Sequence, residues 1–355
     1  MFYFRPLVVT VREAIIIPMK TLITGATGFL GGALARRLHS LGWDVTALGR
    51  NPHALTVLEA DGIRTLQADL ADEAAIRAAC VRQEIVFHSG ALSSPWGRGE
   101  DFYRANVLGT RNIVRGCQDA NVQRLVHVST PSIYFRYEPR LNVKETDPLP
   151  AKPVNEYART KLLAEAEVDR AHADGLPVVT IRPRAIFGPG DTTILPRLIQ
   201  RLASGRLPVI GGGENIADLS YVENVVDALL LCAESPKSTF GKKYNITNGE
   251  PVVLWDMVRK VADALGYPPP RGRIPYRIAD AAAGLLEMIY RLLPSQPEPP
   301  LTRYTVGVIA NSTTLDISAA RRDLGYNPRI SVEEGFDEFI RWWKATVIAR
   351  RVETR

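Results

Sequence analysis

A glycine-rich turn between a strand pattern and a helix pattern constrains the fold of this 355-residue chain more than any other feature. In residues 21–32, which read TLITGATGFLGG, the glycines Gly25, Gly28 and Gly31 fall at intervals of three. Gly25 permits a sharp turn, Gly28 lets a ligand approach the main chain, and Gly31 allows close helix–strand packing. The unpaired N–H groups at the start of the helix favour a phosphate. The stretch predicts a phosphate-binding turn, although a turn without a ligand stays open.

Strand and helix patterns alternate over most of the chain, which predicts a doubly wound α/β fold with a parallel, Rossmann-type sheet. We expect an N-terminal extension over 1–18, a dinucleotide-binding core over 19–190 and a smaller C-terminal substrate lobe mostly over 191–349. Within the lobe, residues of about 215–247 are expected to return to the core. Strands are expected at about 20–24, 44–48, 63–67, 84–88, 124–129, 177–182 and 243–247, and helices at about 29–41, 72–81, 101–120, 154–174, 192–204, 222–234, 254–265 and 332–346.

Charge and composition exclude several functional classes. The net charge of +6 comes from scattered basic residues, which is not typical of a nucleic-acid surface. Residues 1–18 are broken by charges and lack the pattern of a signal peptide, and no run approaches the roughly 20 apolar residues of a membrane-spanning helix. The three cysteines are widely separated, so we expect no metal site or disulfide framework and a reducing, cytoplasmic compartment; they are Cys80, Cys117 and Cys232.

The residue after the second strand indicates which nicotinamide cofactor the chain prefers. An acidic residue there hydrogen-bonds the ribose 2′-hydroxyl, whereas an arginine accommodates a 2′-phosphate. The segment reads TALGRNP and supplies Arg50 without an acidic neighbour. It favours NADP(H) over NAD(H), while a solvated surface arginine and the use of both cofactors stay open.

A tyrosine and a lysine are candidates for acid–base chemistry. Tyr157 and Lys161 lie four residues apart in NEYARTKLLAEAEV, a helical pattern, so their side chains share one face. A free phenol with a pKa of about 10 is a poor base at neutral pH. A nearby ammonium favours the phenolate, which suits proton exchange with a carbonyl or an alcohol. The spacing is a common coincidence on its own and gains weight from its place one helix after HVSTPSIY.

The ordered set of motifs resembles the extended short-chain dehydrogenases/reductases. The resemblance runs from Met19 to about Trp343. Any single motif is weak evidence for the resemblance, but the complete set in this order is specific to the family. The matching segments are GATGFLG, Asp69–Leu70, FHSGAL, ANVLGT, VSTPSIY, YARTK, RPRAIFGPGD, LSYVENVVDA and LDISAARRDLGYNPRISVEEGF.

The resemblance implies roles for individual residues. Tyr157 would exchange the proton, and Lys161 would bind the nicotinamide ribose and lower the pKa of Tyr157. The family's catalytic serine falls on Thr130, with Ser129 as the adjacent alternative, and Asn106 would support a proton relay unless it is an ordinary helix residue. The implied cofactor contacts are Gly25, Thr27, Gly28, Phe29, Leu30, Gly31, Arg50, Asp69, Leu70, His88, Ser89, Gly90, Ala91, Tyr157, Lys161, Pro183 and Ala185.

Departures from the sugar-nucleotide branches of this family narrow the substrate. Dehydratases carry an Asp-Glu pair where this chain has Pro131 and Ser132, and epimerases carry an arginine where it has Ala217. The segment RPRAIFGPGD also lacks the epimerase asparagine that holds a diphosphate. The chain resembles the 3β-hydroxysteroid dehydrogenase-like branch, which includes 2-alkyl-3-oxoalkanoate reductase-like enzymes and handles bulky apolar substrates.

These observations predict an NADP(H)-preferring oxidoreductase that moves hydride between nicotinamide and a secondary alcohol or ketone. A sugar-nucleotide epimerase or reductase is the second hypothesis. A catalytically silent dinucleotide-binding regulator is a third, which the intact pair of Tyr157 and Lys161 disfavours. The family also implies a homodimer through the helices near 101–120 and 154–174.

Two further segments bear on the substrate. The loop after the fourth strand offers Ser93, Ser94 and Trp96, which together with Thr130 are candidate substrate contacts; the alternative is that Trp96 anchors the fold.

The segment IADAAAGLLEMIYRLL carries an apolar helical stripe, which we expect to pack on the lobe's own core. Walling an apolar pocket and touching a membrane surface are the alternatives. The stripe consists of Ile278, Ala282, Leu285, Ile289 and Leu292.

Overall fold

The protein is built around strands that follow the predicted alternation. The computed structural model describes residues 19–205 and 207–353, so the predicted N-terminal extension lies outside the described residues. The strands in the described part are β1 (Lys20–Thr24), β2 (Asp44–Gly49), β3 (Arg64–Gln67), β4 (Ile85–His88), β5 (Arg124–Val128), β6 (Arg140–Val143), β7 (Val178–Pro183), β8 (Ile186–Phe187), β9 (Val209–Ile210), β10 (Ile216–Ala217), β11 (Ser220–Tyr221), β12 (Lys243–Ile246), β13 (Val252–Val253), β14 (Arg273–Ile274) and β15 (Thr313–Leu315).

Helices connect these strands and begin close to the predicted positions. A π-helical segment, Tyr103–Leu108, links two of them, and a short 3₁₀ turn covers Pro131–Tyr134. The helices in the same part of the chain are α1 (Phe29–Ser40), α2 (Pro52–Ala60), α3 (Glu73–Cys80), α4 (Gly99–Phe102), α5 (Gly109–Asp119), α6 (Glu156–Ala173), α7 (Ile194–Ala203), α8 (Val222–Glu234), α9 (Leu254–Leu265), α10 (Tyr276–Leu292), α11 (Arg303–Ala310), α12 (Ser318–Leu324) and α13 (Val332–Glu353).

Seven strands form one parallel sheet in the order β12-β7-β5-β4-β1-β2-β3. This topology confirms the predicted doubly wound, Rossmann-type fold. The chain runs outward from β1 to β3 and then crosses back to β4 on the other side of β1. A crevice opens at such a reversal, outside the carboxyl ends of the strands, and ligands bind there in open α/β sheets.

The two faces of the sheet are covered by different helices because strand residues alternate in direction. Leu22, Val86 and Leu125 are buried against α3, α5 and α6. Their neighbours Ile23, Phe87 and Val126 belong to the core that includes α1 and α8. Both faces are therefore sealed, as expected for a parallel sheet.

Smaller sheets and helices complete the C-terminal part. Strands β13, β10, β15 and β6 form a second sheet, and β11–β8 and β14–β9 are separate pairs. Helix α10 packs against α11 through Ala279 and Ala283, which are buried, and Asp280 forms an ion pair with Arg303 at 2.9 Å. Within the described ranges no helix is both long and apolar enough to cross a membrane.

The apolar stripe of α10 does not pack on the lobe's own core, so that expectation is wrong. The exposed fractions are 61% for Ile278, 56% for Leu285, 45% for Ile289 and 81% for Leu292. The physical reason is that the small residues of the helix, rather than its large ones, face α11 and permit a close approach. The stripe thus lies on the surface of the protein.

Candidate active site

The glycine-rich turn brings the end of β1 against the residues after β4. Gly25 has a φ of +71°, and a Cβ placed on it would lie 2.6 Å from the Cα of Gly90. A Cβ on Gly31 would collide with the carbonyl oxygen of Gly25. Because the main chain is bare and the helix N-terminus follows, the turn fits the pyrophosphate of a dinucleotide.

Arg50 stands at the carboxyl end of β2 with most of its side chain exposed. Its Nη1 lies 3.7 Å from Asp69 Oδ2, while Asp69 Oδ1 accepts a hydrogen bond of 2.9 Å from Ala71 N. An exposed ion pair of this length is weak. The guanidinium therefore has donors to offer to a phosphate at this edge of the sheet.

His88, the last residue of β4, and Ser89 after it form hydrogen bonds with residues of β1 and α5 that line the crevice. Ser89 Oγ donates to Thr24 O at 2.7 Å. His88 Nδ1 lies 2.8 Å from Thr24 Oγ1, and its Nε2 lies 3.0 Å from Thr110 Oγ1. Burial and then the charge of Lys161 lower the pKa of His88 to about 3, so this imidazole is neutral. His88 and Ser89 thus hold strands and helix in place beside the turn.

Asn106 lies in the π-helical segment, a local distortion that is frequent at functional sites. It is buried, and its Oδ1 accepts from Leu92 N at 2.7 Å. Its Nδ2 donates to Leu92 O at 3.1 Å and to Thr160 Oγ1 at 3.0 Å. Asn106 thereby fixes the loop after β4 relative to α6.

Tyr157 and Lys161 share one face of α6, whose first turn is capped by Asn155. Lys161 is 2% exposed, and its Nζ donates to Val128 O at 2.8 Å and lies 3.3 Å from His127 Nε2. Burial lowers the pKa of Lys161 to about 8.

The pKa of Tyr157 differs from the expectation drawn from the sequence. Burial raises it above the ordinary value, and the hydroxyls of Ser93 and Thr130 oppose that rise only in part. The ammonium of Lys161 is directed to the main chain at Val128 instead of the phenol. In the protein itself Tyr157 is therefore held protonated at neutral pH.

The two candidate hydroxyls at the end of β5 have different surroundings. Ser129 Oγ donates to Glu165 Oε1 at 2.5 Å, and that carboxylate is ion-paired with Arg182. Thr130 Oγ1 instead lies 3.0 Å from Ser132 Oγ and close enough to Tyr157 to lower the pKa of its phenol. Of the two hydroxyls, Thr130 is the one beside Tyr157.

Two residues that sequence analysis missed line a narrow cavity next to this group. Tyr304 OH lies 2.8 Å from Ser132 Oγ, and the side chain of Arg184 lines the same cavity. Arg184 belongs to RPRAIFGPGD, which carried the resemblance, but Tyr304 stands 172 residues from Ser132 in the chain and has no local signal.

The loop after β4 runs from the candidate site to the C-terminal part. Ser94 Oγ donates to Trp96 O at 2.7 Å, and Trp96 Nε1 donates to Gln296 O at 3.1 Å. The guanidinium of Arg291 lies 5.3 Å from the centre of the indole ring. Trp96 thus anchors the loop beside the end of α10, and Ser93 of the same loop reaches Tyr157.

The remaining predicted cofactor contacts lie around the crevice. Thr27 packs on Gly49, and Leu70 reaches the position that a Cβ of Gly90 would occupy. Pro183 ends β7, and Ala185 has a φ of +45°. In the described residues no group of three or more His, Cys, Asp or Glu side chains is placed to hold a metal ion.

Comparison with known proteins agrees with this geometry. Residues 21–247 match the model of the NAD dependent epimerase/dehydratase family. The chain belongs to this family. As an epimerase/dehydratase family member it is an enzyme of the nicotinamide-dependent dehydrogenase/reductase type, and the family relationship covers the glycine-rich turn, Tyr157 and Lys161.

Relatives within the family include reductases and dehydrogenases. A 2-alkyl-3-oxoalkanoate reductase of Stenotrophomonas maltophilia is 36% identical over 322 residues, with 89% of this chain and 97% of the relative covered. A 3beta-hydroxysteroid-dehydrogenase/decarboxylase isoform 1 of Arabidopsis thaliana is 33% identical, with 90% and 78% covered. The solved structure of MoeE5 in complex with UDP-glucose and NAD has a TM-score of 0.73 at 28% identity, with 92% of this chain and 99% of that chain covered.

Proposed function

We propose that the protein is an NADP(H)-preferring oxidoreductase that transfers hydride between nicotinamide and a secondary alcohol or ketone of a bulky hydrophobic substrate. The substrate type is a 3-hydroxysteroid or a 3-oxoalkanoate. The observation that carries the proposal is the Tyr157 phenol beside the hydroxyls of Thr130 and Ser93, with the buried Lys161 one turn away. The names of the reductase and hydroxysteroid dehydrogenase relatives support the substrate type.

Each side chain has a part in the proposed reaction. The bound nicotinamide supplies or accepts the hydride. Tyr157 gives a proton to the carbonyl oxygen in reduction, for which its raised pKa keeps it protonated. Thr130 Oγ1 hydrogen-bonds the same oxygen, Lys161 binds the nicotinamide ribose, and Asn106 holds the helix and loop in register.

Replacing Arg50 with aspartate is expected to reverse the cofactor preference. A carboxylate repels a 2′-phosphate and accepts a hydrogen bond from a 2′-hydroxyl, so NADPH loses affinity and NADH gains it. The measurement is the rise in melting temperature with each cofactor at equal concentration, since a ligand that binds the folded state stabilises it.

Arg64→Asp is the matched control for this variant. Arg64 has the same 65% exposure of its side chain and one ion pair, to Asp44 at 3.3 Å, but lies at the amino end of the sheet. We expect it to leave the preference unchanged. If NADPH and NADH raise the melting temperature of the unaltered protein equally, Arg50 does not set a preference for NADP(H).

Thr130→Ala and Ser129→Ala are expected to separate catalysis from stability. Thr130→Ala should lower kcat by roughly 10-fold or more with a modest fall in melting temperature, because it removes a donor to the reacting oxygen and one capping hydrogen bond from Ser132 N. Ser129→Ala should lower the melting temperature and change kcat less, because Ser129 donates into the buried pair of Glu165 and Arg182. The reverse pattern in kcat would assign the catalytic hydroxyl to Ser129.

We further propose that the protein is a homodimer in which α5 and α6 pair with their copies across a two-fold axis. The two helices pack side by side, and Tyr103 and Leu163 leave apolar surface exposed next to them. An isologous contact of this kind brings like helices together.

The experiment that tests the proposed function measures NADPH consumption with ketosteroids and long 3-oxo acids, and the formation of an epimer from sugar nucleotides with NAD⁺ or NADP⁺ supplied. We expect turnover with the first two classes and none with the third. The second candidate function, sugar-nucleotide epimerisation, draws support from the UDP-glucose complex of the structural relative. Turnover of a sugar nucleotide without any activity on a hydrophobic ketone would favour that candidate instead.

A further inference from the structure

The exposed apolar stripe of α10 is larger than the five residues that define it. Met288 is exposed beside the stripe, and Leu293 is exposed directly after the last turn of the helix. Because α10 has 17 residues, the stripe runs for about 25 Å along the surface. No charged residue interrupts it, since the charged residues of α10 lie at other angles around the helix. A contiguous apolar patch of this kind marks an interaction site more often than a free surface.

The carboxylates of α10 face its neighbour α11 and are neutralised there. Asp280 forms an ion pair with Arg303 at 2.9 Å, and Glu287 Oε1 accepts a hydrogen bond from Arg303 N at 2.8 Å. These two are the only acidic residues of α10. The exposed side of the helix therefore has no negative charge of its own.

Arginines lie around the exposed side instead. Arg277 stands at the start of the stripe, and Arg291 follows about four turns later on nearly the same edge of the helix. Arg271 and Arg273 come just before α10. All four are exposed, and within the described part of the chain no carboxylate lies within 4.0 Å of their guanidinium groups. An apolar stripe with a basic edge suits an anionic lipid surface.

A second copy of this chain fits the stripe less well than a lipid surface. A two-fold contact between two α10 helices would bring the arginines of one copy near those of the other, whether the helices run parallel or antiparallel. The like charges would repel each other, and the exposed side offers no carboxylate to compensate. Anionic headgroups attract every one of these arginines, so charge complementarity favours the lipid.

The stripe also adjoins the loop that reaches the candidate site. Trp96 Nε1 donates to Gln296 O at 3.1 Å just after α10, and the guanidinium of Arg291 lies 5.3 Å from the centre of the indole ring. Ser93 of the same loop contacts Tyr157. Tryptophan and arginine both suit the boundary between lipid and water, because each has an apolar body and a polar end. A lipid surface at α10 would lie next to this loop.

We propose that the apolar stripe of α10 binds the surface of an anionic phospholipid membrane, with the helix lying along the membrane and its arginines at the headgroup phosphates. This contact does not require the proposed reaction, so it can be tested without a substrate. Where the reaction takes a hydrophobic ketone, the membrane would hold that ketone beside the loop of Ser93 and Trp96. That consequence alone rests on the proposed function.

The test is co-flotation of the full-length protein with lipid vesicles at low and at high salt. One set of vesicles contains equal parts of phosphatidylcholine and phosphatidylglycerol, and the other contains phosphatidylcholine alone. We expect binding to the mixed vesicles that weakens at high salt, because salt screens the attraction between arginines and phosphates. Failure to bind the mixed vesicles, or equal binding to both sets, would overturn the inference.

The double variant Leu285→Gln/Ile289→Gln tests whether the stripe makes the contact. We expect it to lower binding to the mixed vesicles by at least ~10-fold, because two apolar side chains are lost from the lipid-facing side. Both side chains are about half exposed, so the melting temperature should stay unchanged.

Val57→Gln/Val81→Gln is the matched control. Val57 and Val81 are 44% and 56% exposed, against 45% for Ile289 and 56% for Leu285, and they lie on α2 and directly after α3. We expect unchanged binding. Equal binding by the two double variants would overturn the assignment to α10. Because every variant retains residues 1–18, membrane binding through that segment would give this contrary result.

The charge is tested by Arg273→Gln/Arg277→Gln. An arginine near an anionic membrane contributes about 5-fold to binding, so we expect a loss of roughly 25-fold on the mixed vesicles. Arg36→Gln/Arg64→Gln changes the net charge equally at positions on α1 and β3 and should bind far better. Equal losses would mean that net charge alone causes the binding, which contradicts the proposed orientation.

Sedimentation without vesicles distinguishes a membrane from a second copy. We expect Leu285→Gln/Ile289→Gln to have the same mass as the unaltered protein. A lower mass for this variant would show that the stripe joins copies of this chain, and the assignment to a membrane would be wrong.

Discussion

Tyr157→Phe is expected to lower kcat by at least ~100-fold while cofactor binding stays nearly intact, because loss of general acid–base help has this scale. The hydroxyl of Tyr157 is the only group removed, and the hydroxyls of Thr130 and Ser93 remain beside the vacated position. The measurements are kcat for a hydrophobic ketone and the rise in melting temperature with NADPH.

Tyr304→Phe is the matched control, since burial also raises the pKa of Tyr304 and its hydroxyl lies 2.8 Å from Ser132 Oγ in the same group. We expect a loss in kcat below about 10-fold, because this hydroxyl acts through Ser132. If Tyr304→Phe loses more activity than Tyr157→Phe, the proton donor is Tyr304 and the assignment to Tyr157 is incorrect.

Glu165→Gln is expected to lower the free energy of unfolding by about 3–5 kcal/mol, the usual cost of removing one partner from a buried ion pair. Arg182 is 4% exposed and keeps its charge, so the substitution leaves a buried cation without its carboxylate. The hydrogen bond from Ser129 is weakened as well. The measurement is urea unfolding at neutral pH.

The effect of Glu165→Gln depends on pH in a definite direction. Burial alone raises the pKa of Glu165, but the hydrogen bonds and charge of Arg182 outweigh it and hold the pKa below its ordinary value. The ion pair therefore stabilises the protein above the ordinary carboxyl pKa and loses this contribution as the pH falls through the folded-state pKa. The difference between the two proteins should shrink in acid.

Glu333→Gln supplies the comparison on the surface. Glu333 pairs with Lys260 at 3.0 Å, and both side chains are largely exposed, so we expect a loss below about 1 kcal/mol. Equal losses for the two variants would show that Glu165 and Arg182 are not a structural pair. Ser129 would then be free to act in catalysis.

The sequence predicted the features that depend on local pattern. Buried strands, the glycine-rich turn and the long helices each follow from residues within one segment, and their positions agree with the structure to within a few residues. Helix α2 was missed although Asn51 and Pro52 are typical residues for a helix start, and Asn51 Oδ1 does accept from Ala54 N at 3.3 Å.

Features that depend on distant residues could not be predicted. The spacing of Tyr157 and Lys161 placed both on one face of α6, but the main-chain oxygen at Val128 that takes up the ammonium comes from another strand. The position of Tyr304 beside Ser132 arises only when segments far apart in the chain meet. The exposure of α10 likewise follows from which side of it α11 covers.

The most direct measurement of the central claim follows deuterium from NADPH that carries the label at the transferred position of nicotinamide. With a long-chain 2-alkyl-3-oxo acid we expect one deuterium at the carbinol carbon of the product, and Tyr157→Phe should form this product at least ~100-fold more slowly. With NAD⁺ or NADP⁺ supplied in place of NADPH, because epimerisation begins with oxidation of the sugar, UDP-glucose should give no epimer. An unlabelled oxo acid together with an epimerised sugar nucleotide would contradict the account.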